Sequence, residues 1–264
     1  MQECVRVDLA ERGVGAGESG RFLGRCAADR AERSPMMLKS MILAAVALSW
    51  AHPAFADITA HYVIDGDQSI MTMEIAANGD VRARFGSDAS YFLTRGGQSY
   101  YVKAGPDGPL VMRQEDIAAV MLEQLAAEPN PPSPDPHAKD VRLVARGAVS
   151  IRGRKGVAYM VNDKHARGPD DPPFLVVSDD PALTPLAVAV RMQFSASLGP
   201  IRILYGDAGG WDDMVALFAR GAPLLFLGME LGRIDPAHLP ASRFVLPASP
   251  LSREAVRRDF TASR

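Results

Sequence analysis

Residues 69–85 read SIMTMEIAANGDVRARF. Met71, Met73 and Ile75 share one face of an alternating run. Asn78-Gly79-Asp80 supplies the turn chemistry of a hairpin, and VRARF is its return strand. The same device recurs on both sides. ITAHYVID (58–65) alternates Ile58, Ala60, Tyr62 and Ile64 against Thr59, His61 and Val63. SYFLTRGGQSYYVKAG (90–105) sets Gly96-Gly97 between two aromatic-rich runs, and GPDG (105–108) turns again before PLVMR (109–113). Short strands, each followed by its own turn, predict a meander.

A helix interrupts it. In EDIAAVMLEQLAA (115–127), Ile117, Val120, Met121 and Leu125 recur at helical spacing, with Glu115 and Asp116 suited to the positive N-terminal end. Five prolines between Pro129 and Pro136 then stop any regular structure. The segment 129–136 reads as a long surface loop rather than a linker, because 57–128 offers too few elements to cover a sheet. Strand patterns resume in VRLVARGAVSIRG (141–153), VAYMV (157–161) and PFLVVS (173–178). A second helix is expected with Thr184 as N-cap and Pro185 in its first turn, burying Leu186, Ala187, Val190, Phe194 and Leu198. A third is expected from Trp211 to Arg220. APLLFLGMELGRI (222–234) and SRFVLPA (242–248) read as closing strands, and the polar tail 250–264 as loose.

Hairpin turns dominate and βαβ alternation is missing. The order therefore predicts an α+β fold: a curved, mostly antiparallel sheet, or half-barrel, covered by two or three helices. The sheet buries one face, and the helical apolar stripes need that face as a partner.

The N-terminal part reads differently. MMLKSMILAAVALSWAHPAFAD (36–57) has the layout of a secretory signal: Lys39 as the charge, an apolar run from Met41 to Leu48, a break at Pro53, and Ala54-Phe55-Ala56 as a cleavage site. The run is far short of the ~20 residues that cross a bilayer. The expected organisation is thus an upstream segment 1–35, mis-assigned or disordered, a signal peptide 36–56 cleaved after Ala56, and one α+β domain from 57 to 264. The expected location is periplasmic or secreted, with no transmembrane segment after signal removal. Both cysteines, Cys4 and Cys26, precede the cleavage site. This leaves no thiol nucleophile, Cys-based zinc site or disulfide in 57–264. GVGAGESG (13–20) resembles a dinucleotide loop but lacks the strand before it that such a loop requires. With 29 basic and 31 acidic residues, the charge gives no electrostatic case for nucleic acid.

Four stretches in the C-terminal half, GVAYMV (156–161), FLVVSDDPAL (174–183), GAPLLFLGMEL (221–231) and PASRFVLPA (240–248), resemble the ends of exported bacterial proteins in a domain-of-unknown-function family. The topology of that family is similar to the lipoprotein-localisation carriers. Members often carry a cysteine near the strand matched by GVAYMV; this chain has none there. The resemblance implies a half-barrel closed by helices and an envelope location, and it implies no catalytic residue.

No site motif survives its context. His165 sits near Asp163, Asp170 and Asp171 in a Pro- and Gly-rich loop, with only one imidazole for a metal. Asp65 to Ser69 opens like a calcium loop, but Ile70 stands where Gly is needed and Ala76 where Glu is needed. His61, His137 and His238 have no nucleophile partner legible in sequence, and His61 falls out of phase with the apolar positions of its strand. The methionines are spread through the elements and read as core filler. The sequence assigns no catalytic, cofactor-binding or metal residue and leans against an enzyme. The leading expectation is an envelope protein that binds an apolar ligand, such as an acyl chain, or a partner protein. A structural module without a ligand site and a hydrolase with an unrecognised site are the alternatives.

Overall fold

The computed structural model describes residues 57–64, 68–86, 89–129, 137–162 and 172–262, without the side chains of 204 and 205. Segments 1–56, with the expected signal peptide and both cysteines, and 130–136 and 163–171 lie outside the described residues.

The quoted hairpin forms as read. Strands β2 (Gln68–Ile75) and β3 (Val81–Phe85) pair antiparallel with Ile75 opposite Val81. Between them the Gly79 N–H donates to the Ala76 carbonyl at 2.8 Å, and Gly79 takes φ +86°, a conformation only glycine adopts freely. Before this hairpin comes β1 (Ile58–Ile64), and after it β4 (Tyr91–Arg95), β5 (Gln98–Gly105) and β6 (Gly108–Arg113). These six form a meander in chain order.

The second set is also consecutive: β7 (Leu143–Ile151), β8 (Arg154–Val161), β9 (Leu175–Ser178), β10 (Ala222–Phe226) and β11 (Met229–Pro236). Pairing of β1 with β11 fuses the two into one eleven-stranded antiparallel sheet. Its ends, β6 and β7, do not pair with each other, so the curved sheet stays open. Register shifts in β1, β7 and β10 supply local bending and twist. The strands before and after the proline-rich segment lie in the same sheet.

Four α-helices occur among the described residues: α1 (Gln114–Ala127), α2 (Thr184–Tyr205), α3 (Gly209–Phe218) and α4 (Arg253–Ala262). The longest, α2, lies against β2, β4 and β10 on the inner face of the sheet; α1 packs on β5, β6 and α2. A Cβ on Gly199 of α2 would sit 3.1 Å from the Ala118 Cβ of α1, so glycine there permits their close crossing. Thr184 does not cap α2: the cap position is Leu183, without a side-chain cap, and Asp180 instead caps the 3-10 turn Pro181–Leu183 that leads into the helix. The Asp180 carboxylate accepts the Ala182 N–H at 2.9 Å, while the Thr184 hydroxyl donates to the Pro181 carbonyl from inside the helix. The helix continues through Pro200, whose missing N–H leaves the Ala196 carbonyl without its helical donor. No described helix is long and apolar enough to cross a membrane.

Two expectations for the C-terminus are corrected. Residues 242–248 are not a strand. Pro240 and Pro247 cannot donate to a ladder, and the chain makes a short 3-10 turn at Ala241–Phe244 instead. Phe244 then packs on Ala76 and Leu93 of the outer face. Nor is the tail loose. The Leu251 N–H donates to the Val111 carbonyl on edge strand β6 at 2.8 Å, and the chain rounds that edge to form α4 on the inner side. Val256 is fully buried against α1, and three charged residues of α4 are paired: Arg253 with Asp116 at 3.0 Å, Asp259 with Lys103 at 2.8 Å, and Arg257 with Glu123. Residues 239–262 therefore strap both faces of the sheet.

Candidate functional site: an apolar cavity between sheet and helices

Alternation decides what faces inward. On β1, Ala60 and Tyr62 are buried in the main core, with β2 adding Met71, Met73 and Ile75. Beneath α2 and α3 that core is closed by aromatic edges. Phe218 stands edge-on to Phe194 at 5.4 Å and to Phe226 at 6.0 Å, and Phe226 stands edge-on to Tyr62 at 5.1 Å. The Tyr62 hydroxyl donates to the Pro223 carbonyl at 2.8 Å, and its burial pushes the phenol pKa well up.

Toward β3–β6 the inner face is not filled. A cavity of about 470 Å³ lies among Phe85, Phe92 and Tyr101 of the sheet, Gln114 and Ile117 of α1, Ser197, Pro200 and Ile201 of α2, and Phe260 of α4. A second, of about 210 Å³, lies among Met71, Met73, Phe226 and Met229 of the sheet and Val190, Gln193 and Phe194 of α2. Both use Phe85, Phe92, Ser197 and Ile201 as walls, so they are two chambers meeting at one constriction. Among the described residues neither is lined by a charged side chain. Phe85, 45 % exposed, and Leu227 mark the rim. Leu227 holds φ +50° beside Gly228 at φ +76° in the β10–β11 turn, a conformation that costs a leucine roughly 1 kcal/mol.

Two polar side chains in these walls are only partly satisfied. Gln193, 8 % exposed, accepts from the Thr94 hydroxyl at 3.2 Å through Oε1, and its Nε2 has no partner among the described residues. Gln114, 5 % exposed, also has an unpartnered Nε2. Burying an amide donor without an acceptor costs about 1–3 kcal/mol.

The residues weighed from sequence lie elsewhere. His61 points to the outer face, its Nε2 3.2 Å from Asp235 Oδ2 and 3.5 Å from Arg233. His137 is exposed beside Asp140, and His238 is exposed 4.0 Å from Asp57. The hydrolase reading needed a polar cleft where His61 or His165 meets a Ser or Asp within hydrogen-bond reach; His61 meets Asp235, on the face away from the chambers. His165, Asp163, Asp170, Asp171 and the start of the Asp65–Ser69 stretch lie outside the described residues. Among the described residues no three His, Cys, Asp or Glu side chains cluster as metal ligands. Gln193 and Ser197 were missed, yet they left a signal. They sit on the stripe Leu186, Val190, Gln193, Ser197, Ile201, where a helical face otherwise apolar turns polar twice.

The fold and cavity define an open antiparallel half-barrel under helical cover, with chambers that no described charged side chain lines. No protein-family model matches the chain, and no curated protein or solved structure shows a significant match to it.

Proposed function

We propose that the protein binds an apolar ligand of acyl-chain type between sheet and helices and does so in the cell envelope after export. The observation that carries the binding is the pair of adjoining chambers. They lie in a region where the rest of the fold packs its own aromatics tightly, and pockets of this size, apolar with a few polar groups, suit small ligands. Methionines 71, 73 and 229 give one wall adaptable, polarizable side chains. The signal-like layout of 36–56 supports export. Asp57, the expected new N-terminus, is pinned by N–H donors from Ala77 at 2.7 Å and Leu239 at 2.9 Å.

The test is native mass spectrometry of the purified protein, followed by delipidation and titration with an apolar fluorescent dye. Co-purifying lipid, or saturable dye binding lost in Ser197→Trp at the constriction, is the expected result. An empty protein that binds no dye contradicts the proposal.

A further inference from the structure

The chambers say more about the ligand than that it is apolar. We propose that they select an uncharged acyl compound, an ester or amide, whose carbonyl oxygen accepts a hydrogen bond from Gln114 or Gln193. This rests on the binding reading above and adds the ligand's polar chemistry.

Three observations converge. Each chamber has one glutamine in its wall, and each glutamine is more than nine-tenths buried. Each carries an amide nitrogen with no partner among the described residues. The carbonyl end of Gln193 is already engaged by Thr94, which is itself tied to Ser99 at 2.9 Å, so the amide N–H remains the group for a ligand. The terminal torsion of glutamine is soft, and a modest rotation brings its N–H to an oxygen in the chamber.

The third observation concerns charge. Among the described residues no Lys, Arg or His lines either chamber, so a carboxylate entering there would lose water and gain no counter-ion from them. A pure hydrocarbon would leave both amides unpaired. An ester or amide carbonyl is the group that is neutral and still accepts. Its hydrocarbon portion fills the rest of the cavity against Phe92 and Ile201.

Decane, methyl decanoate and decanoate at pH 8 separate these cases, each used to displace the apolar dye from the full chain. The ester is expected to bind about tenfold tighter than the alkane, the worth of about one hydrogen bond to an otherwise unpaired donor, and tighter than the carboxylate. Gln114→Leu and Gln193→Leu keep the side-chain volume and remove the amide. At least one is expected to erase the ester's advantage over decane, while retained decane binding reports an intact cavity. Equal binding of ester and alkane by the native chain overturns the inference, as does tighter binding of decanoate, or an ester preference that survives in the double variant. If none of the three probes displaces the dye, the binding reading itself fails.

Discussion

The two flanks of α2 bury the same kinds of residue and reach different ends. On the β10–β11 side, Phe194, Phe218, Phe226 and Tyr62 meet edge to face and leave Phe218 and Tyr62 with essentially no exposure. On the β3–β6 side, Phe85, Phe92 and Tyr101 touch one another at 5.1–6.0 Å, but the helices above them stand off and leave the larger chamber. The helix residues differ. Over the packed side α2 presents Leu186, with Val190 and Phe194 passing into the wall of the smaller chamber; over the larger chamber it presents Ser197, Pro200 and Ile201. Small or stiff residues on the helix, not fewer aromatics on the sheet, make the space. A protein core is normally filled to crystal-like density, so a void kept beside a filled core is the feature to explain.

Matched truncations break this comparison most sharply. Phe218→Ala is expected to cost about 3–5 kcal/mol, because a close-packed site cannot collapse around the loss. Phe92→Ala, which faces empty space on one side, is expected to cost less than about 2 kcal/mol by the same reasoning and to weaken ligand binding. Urea unfolding of both variants checks this, and equal losses would remove the distinction. The strap comes next. Val256→Ala removes two fully buried methyl groups that hold α4 to α1, a loss of about 1.5–2 kcal/mol. Hydrogen exchange should show protection falling in 253–262 while β9–β11 keep theirs; a uniform loss would mean that the strap and the sheet open together.

Tyr62→Phe is a smaller probe of the packed side. It leaves the Pro223 carbonyl without its side-chain donor and is expected to cost about 1 kcal/mol in thermal or urea unfolding. Asp57 gives the smallest effect, and one that depends on pH. The Leu239 N–H first, then the Ala77 N–H, hold its carboxyl below its ordinary value of 3.8. Its contribution is complete above the unfolded carboxyl's pKa and drains away as pH falls through the lower folded value. Asp57→Asn should therefore lose a little stability at neutral pH, converge on the native protein in strong acid, and so flatten the acid limb of the stability curve. An unaltered acid limb would show that the carboxylate is not stabilised by those donors.

Much of this was legible in the sequence because it was local. The Asn78-Gly79 turn, the alternation around Met71 and Met73, and the stripe beginning at Leu186 each carry their own signal within a few residues. The pairing of β1 with β11 is not local: Ile58 and Pro236 lie opposite each other from the two ends of the domain's sequence. The strap escaped for a related reason. Arg253, Arg257 and Asp259 read as a solvated tail until Asp116, Glu123 and Lys103, more than a hundred residues away, are brought beside them. The cavity was invisible because a pattern of apolar residues marks which side chains face inward and not whether they meet. Its one sequence trace was polar: Gln193 and Ser197 on an apolar helical stripe.

The methionines place reporters at the chambers and away from them. Met71, Met73 and Met229 line the smaller chamber, and Met214 is fully buried and lines neither chamber. With carbon-13-labelled methionine methyl groups, titration of the full chain with methyl decanoate tests the account most directly. Saturable shifts of the Met71, Met73 and Met229 methyl resonances, with Met214 unmoved, are the expected result. Shifts at Met214 equal to those three, or no shift at any of them at saturating ligand, would contradict the claim that the space beneath α2 is a binding site.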